Sequence, residues 1–339
     1  MKRRGIFSSN RRVSAITLGL GLCLAGCSPE RDLTPVPSTF NGSRFLPAKP
    51  LTSQPFTVPD LALEMQPIPA GTFRMGSPIS EPGHGANEGP QTVVTISQPF
   101  WLGRTPVTHG QWKALMGTDL TGQAQKASAS DNDFIQLLAR CDDATAMYFV
   151  SWHEAMAFCA RLNARARAEG SLPAGYEFTL PTEAQWEYAC RAGTTGAHYG
   201  ETGFVLSGPA LDAIAWHAGN SGVAYDGPPW GAIVAVGQPA ANARSGPRQV
   251  GWKQPNAWGL YDMLGNVRQW CRDFPADQLP GGSVTDPTGP ATGSDRVVRG
   301  GSWHSEPENC RAATRAWSSP DCRLQFIGFR VALAPIPRR

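Results

Sequence analysis

Three observations predict an α+β domain with short elements and little regular structure. The 339 residues hold 37 glycines and 30 prolines, about one residue in five, a density that breaks long helices and argues against a bundle or coiled coil. Eleven tryptophans suit a fold in which large rings fill gaps between loops. Three helix starts share one chemistry: Thr108-His-Gly-Gln111, Ser151-Trp-His-Glu154 and Thr182-Glu-Ala-Gln185. Each is a capping box, with the hydroxyl accepting from the amide three residues on and the Gln or Glu reaching back.

The elements follow in order. Lys2, Arg3, Arg4, Arg11 and Arg12 precede an apolar run from Val13 to Ala25, too short to span a bilayer and suited to a signal-peptide core. Residues 1–26 are therefore expected to be removed. Leu24-Ala25-Gly26-Cys27 resembles the bacterial lipobox, which makes Cys27 the lipidated first residue, and Ser28 in place of Asp points to the outer membrane. Residues 27–60 carry seven prolines and little periodicity, a semi-extended tether reaching roughly 100 Å at most. The remaining stretch, 61–335, reads as one domain. Its first helix opens at Thr108 and closes at Gly117; its second opens at Ser151 and turns Ala155, Cys159 and Leu162 to the core; its third opens at Thr182 and closes at Gly193. Strands are expected at Thr92–Ile96, Phe178–Leu180, Arg296–Arg299 and Phe329–Leu333.

Charge and motifs exclude several functions. Without the leader, 25 basic residues face 27 acidic ones, which leaves no basic footprint for nucleic acid. His153-Glu154 starts like a zinc-protease helix, but Ala157 stands where the second His belongs, and Glu154 is explained by its capping box. The six histidines have no ligand-like spacing, and Gly300-Gly301-Ser302 lacks an assignable His–Asp pair.

Nine segments in order carry a resemblance. They are Ile68–Ser77, Glu88-Gly-Pro90, Pro106-Val-Thr108, Val150-Ser-Trp152, Leu180–Tyr188, Pro255–Val267, Arg299-Gly-Gly-Ser-Trp303, Cys310–Arg315 and Gly328-Phe-Arg330. Together they resemble the formylglycine-generating enzyme, or sulfatase-modifying factor, family. The resemblance implies that family's irregular fold, related to C-type lectins. It also implies oxidation of a sulfatase cysteine to formylglycine by O2 and copper(I) held between two thiolates. Soft thiolates suit that ion. Their positions here are Ser305 and Cys310, so the first thiolate is absent and copper is not expected. Cys310 matches the second by spacing, but alignment back from Arg315 makes it a structural cysteine in preference to a surviving ligand. Arg268 and Gln269 stand where relatives usually place Trp and Glu.

The resemblance further implies calcium at two sites and a peripheral acid. Asp262 with the carbonyls of Gly265 and Val267 matches the first, with Gln269 in place of its last acid. Asn220 and the Ser221 carbonyl match the start of the second, with Asp226 a guess at its acid; Glu88 matches the peripheral ligand. Calcium is weighed against a loop held by hydrogen bonds alone. Cys159 and Cys190 match disulfide positions whose partners are replaced by Val331 and Ala312, and the pattern favours a Cys271–Cys310 bridge.

Two functional classes remain: an envelope enzyme tailoring a protein or small molecule without copper, and a non-catalytic module binding a peptide, glycan or protein. An authentic sulfatase activator is the third and weaker reading. The groove candidates are Ser302, His304, Ser305, Glu306, Cys310 and Arg330, with His304 and Glu306 offering acid–base chemistry. A monomer on the periplasmic face of the outer membrane is expected.

Overall fold

The computed structural model describes residues 54–127, 138, 141–200, 208–222 and 245–336. The leader, Cys27, the tether before residue 54 and Asp226 lie outside the described residues. In chain order the strands are β1 Phe56–Val58, β2 Leu63–Ile68, β3 Gly71–Met75, β4 Thr92–Ile96, β5 Phe100–Gly103, β6 Tyr176–Thr179, β7 Arg268–Trp270, β8 Ser283–Thr285, β9 Arg296–Arg299, β10 Arg315–Ser318, β11 Ile327–Gly328 and β12 Ala332–Pro335. The helices are α1 His109–Met116, α2 Leu120–Lys126, α3 Trp152–Ala168, α4 Glu183–Arg191 and α5 Pro209–Ile214. These elements form three sheets, ordered β1-β2-β5-β12-β6, β10-β9-β7-β11 and β3-β4-β8. The fold is α+β, as the glycine, proline and tryptophan content predicts.

All three capping boxes form, at Thr108/Gln111, Ser151/Glu154 and Thr182/Gln185. Local chemistry suffices for these, since each satisfies two orphan amides of the first turn. Helix α1 ends at Gly117, whose φ of 73° needs no Cβ. Helix α4 differs: its left-handed cap is Ala192, one residue before the expected Gly193. The start of the fold also differs. Phe56 and Val58 alternate inward on β1, which pairs with β2 through Phe56 opposite Met65. Residues 56–58, inside the stretch read as tether, therefore belong to the domain's first sheet.

Helix α3 buries the predicted stripe of Ala155, Cys159 and Leu162. It is tied to β6 by Asn163, which donates to the Phe178 carbonyl and accepts from the Phe178 amide, both at 2.7 Å. Its Phe158 stacks on Trp112 and meets Phe329 edge-on at a centroid distance of 5.3 Å. A second cluster gathers around Trp186, Phe100, Met263, Leu264 and Cys310.

The last expected strand, Phe329–Leu333, is split. Ile327–Gly328 joins β7, while Ala332–Pro335 lies between β5 and β6 in another sheet. Arg330 occupies the break. Its guanidinium turns inward and donates to the carbonyls of Gly103 and Tyr261, each at 2.7 Å. A residue anchored that way cannot alternate along one ladder.

Candidate functional site

The site is built where β9 runs into Gly300-Gly301-Ser302 beside β7. Gln269 of β7 pairs with Arg299 of β9, and Arg268 pairs with Ile327 of β11. Glycine is required in the turn: Gly301 has φ 70°, and a Cβ there would stand 2.7 Å from Cys310 Sγ. This close approach brings Cys310 under the Ser302 turn.

Ser302, Ser305 and Cys310 are brought together. The Ser302 amide donates to Ser305 Oγ at 3.0 Å, the two hydroxyl oxygens are 3.2 Å apart, and the Ser305 amide donates back to the Ser302 carbonyl. Cys310 is fully buried. Burial pushes its thiol up to about 12, so at neutral pH it is a neutral SH. With Ser305 as the other member, the pair does not fit copper(I), which takes two thiolates.

His304 is half-buried, stacked on Phe326 and edge-on to Trp303. Burial lowers its pKa, the neighbouring Arg268 lowers it further, and Glu306 partly opposes both. The ring is therefore neutral at pH 7, and its Nε2 is buried without a hydrogen-bond partner. The stretch after Ser302 is exposed only in part. Trp303 is buried, with its indole NH on the Gln325 carbonyl and its own carbonyl accepting from Ser221 Oγ, while Glu306 is exposed.

Arg330 does not join this cluster. It is fully buried, its Nε donates to Gln269 Oε1 at 2.6 Å, and burial pushes its pKa down to about 10. Every guanidinium nitrogen already has an acceptor. It organises the sheets from beneath, with four of its five N–H donors already used within the fold.

Among the described residues, the side-chain oxygens at the three expected calcium places already serve donors of the chain itself. Asp262 accepts from the Gly251 amide at 2.7 Å and from Asn266 Nδ2 at 3.2 Å. Gln269, at the position of the last acid, is uncharged and spends its oxygen on Trp186 Nε1 and Arg330 Nε. At the second place Asn220 Oδ1 accepts from the His217 amide, and the Ser221 carbonyl accepts from Arg248 at 2.6 and 3.1 Å. Glu88 takes Arg311 on both oxygens and Ser77 on one. Burial works to raise the Glu88 pKa, but Arg311 and Ser77 outweigh it and hold the acid low. Calcium needs six to eight oxygens, and amides and guanidinium groups already use those of Asp262, Asn220, the Ser221 carbonyl and Glu88. Arg248 was missed in the sequence, because its acceptor lies 27 residues away across a loop.

The favoured Cys271–Cys310 bridge is not formed. Cys159, Cys190, Cys271 and Cys310 are buried free thiols. Burial raises the pKa of each, to about 12 for Cys190.

Sheet order, the Arg299-Gly-Gly-Ser turn and the buried Arg330 define a sulfatase-modifying-factor type of fold. The model of the sulfatase-modifying factor enzyme 1-like domain matches residues 53–335, and the chain belongs to that family. It is 27% identical over 321 residues to the formylglycine-generating enzyme of Thermomonospora curvata, covering 82% of this chain and 95% of that one. It is 26% identical over 243 residues to the chaperone protein LppX of Paenibacillus barcinonensis, covering 62% and 71%. Among solved structures, Treponema denticola variable protein 1 superposes with a TM-score of 0.62 at 26% identity, over 83% of this chain and 99% of that one.

Proposed function

We propose that this chain is an envelope lipoprotein, anchored through Cys27, whose domain holds an extended peptide of another protein in the groove around Ser302–Cys310. It does so without oxidising a cysteine. One observation carries this reading. The position of the first copper thiolate is a serine whose hydroxyl is hydrogen-bonded to Ser302, and the remaining cysteine is a buried neutral thiol. The name of one relative, a chaperone protein, supports a protein-binding use of this scaffold. The lipobox-like Leu24–Cys27 behind a basic, apolar leader supports the anchor.

The deciding experiment incubates the full chain with copper(I), oxygen and a peptide bearing the sulfatase CxPxR motif. The peptide should leave with its cysteine unchanged by mass spectrometry, while remaining measurably bound to the protein. Appearance of formylglycine would falsify the reading and make the chain an authentic sulfatase activator.

A tailoring enzyme remains the second reading because of His304. Its neutral ring and unpartnered Nε2 could act as a general base. His304→Ala then abolishes turnover of a bound ligand and spares its affinity, whereas in a binder it weakens affinity.

A further inference from the structure

Buried arginines in this domain are matched to acids or carbonyls. Arg311 meets Glu81 and Glu88, Arg315 meets Glu183, and Arg299 meets Glu187. Arg268 breaks the pattern. It sits on β7 at the edge of the Ser302 turn, half-buried, and its guanidinium makes one hydrogen bond, a long 3.5 Å contact to Ser305 Oγ. Among the described residues no carboxylate pairs with it.

A guanidinium has five N–H donors in a planar fork. Taking that charge from water costs several kcal/mol unless an anion and good hydrogen bonds compensate. Among the described residues nothing compensates as an ion pair: the buried Cys310 thiol and the His304 ring sense its charge. Ser305 Oγ already accepts from the Ser302 amide, so it steadies the guanidinium without neutralising it. Four of its donors have no partner among the described residues.

We propose that Arg268, steadied by Ser305, is the anchor for a carboxylate of the bound peptide. Charge count selects the class. Arg268 brings one positive charge and Glu306, exposed on the same loop, one negative charge, so a singly charged carboxylate meets less repulsion here than a phosphate dianion. Planarity agrees, since the guanidinium fork matches two carboxylate oxygens bidentately. The carboxylate is supplied either by an Asp or Glu side chain or by a peptide C-terminus. This assignment rests on the peptide-groove reading above and names the group that the groove recognises.

The test offers the immobilised full chain a hexapeptide mixture in four forms. These have a free C-terminal carboxylate without Asp or Glu, a C-terminal amide with Asp or Glu, a C-terminal amide without either, and a neutral amide bearing phosphoserine. Retained peptides are counted by mass spectrometry for the wild type and for Arg268→Gln, Arg268→Trp and Arg268→Lys. One or both carboxylate forms should be retained at least tenfold over the neutral amide, and which one identifies the source. That preference should vanish in Arg268→Gln and Arg268→Trp and survive in part in Arg268→Lys. Equal retention of all forms by the wild type overturns the carboxylate assignment while leaving peptide binding in place, and does so without any variant. A preference for phosphoserine, or one that persists in a folded Arg268→Gln protein, overturns it too. No retention of any form overturns the groove reading itself.

Discussion

Arg330 donates its Nε–H to the amide oxygen of Gln269 at 2.6 Å, and neither side chain touches solvent. The same oxygen accepts from Trp186. The other end of the amide donates to the Asp262 carbonyl at 2.8 Å. One glutamine thus closes the loop that an acidic residue and a metal ion would otherwise close.

That arrangement predicts a stability that does not depend on calcium. Excess chelator should leave the melting temperature of the full chain unchanged, followed by circular dichroism. A filled site at a hundredfold excess over Kd would contribute about 2.7 kcal/mol, a shift of several degrees. A chelator-induced drop restored by calcium would show that the ion holds this loop.

Truncating the glutamine should be costly. Gln269→Ala strips Arg330 Nε and Trp186 Nε1 of their shared acceptor in a dry site, for a loss of about 1–3 kcal/mol or more, because one donor is charged. Urea unfolding measures it, and a change below a few tenths of a kcal/mol contradicts the network.

The Glu183–Arg315 pair should behave as a buried ion pair. Arg315 Nε and NH2 grip the two carboxylate oxygens at 2.6 and 2.8 Å. Burial tends to raise the Glu183 pKa, but Arg315 and then Arg299 overcome it and lower it. Arg315→Ala leaves the buried Glu183 carboxylate to Arg299 Nε at 3.4 Å and should cost up to about 3–5 kcal/mol. Retention of wild-type stability in denaturant titration argues against the pair.

Asp273 predicts a pH dependence of the opposite sign to most acids. It is buried, it accepts from the Glu183 amide at 2.9 Å, and burial followed by the charge of Glu183 raises its pKa from 3.8 to about 7. Arg272 opposes that rise in part, and Arg296 and Arg315 also feel its charge. The folded state therefore binds a proton that the unfolded state has lost. Its contribution falls as pH rises from about 4 to about 7 and is level above. Asp273→Asn should remove this slope, so the variant gains stability over the wild type at pH 8 relative to pH 5. An equal difference at both pH values would show that Asp273 does not carry the proton.

The lipid anchor predicts a fractionation result. Cys27→Ala should move the protein from the membrane to the soluble envelope fraction. Persistence in membranes after a high-salt wash removes Cys27 as the anchor.

The parts of the fold legible in the sequence are those decided by neighbours along the chain. A hydroxyl three residues before a Gln or Glu forms its capping box whatever lies elsewhere, and strand Thr92–Ile96 alternates on its own. Residue identity also shows that Ser305 cannot be a thiolate and that Arg268 and Gln269 depart from the relatives. Tertiary structure decided what those departures mean. Gln269 meets Trp186 across 83 residues and Arg330 across 61, and the Ser221 carbonyl meets Arg248 rather than an ion. Arg330 splits an apparently continuous strand because its guanidinium needs acceptors from β5 and from the loop before β7. The isolation of Arg268 is visible only in the folded chain, since a missing ion-pair partner is a property of every residue that could have reached it.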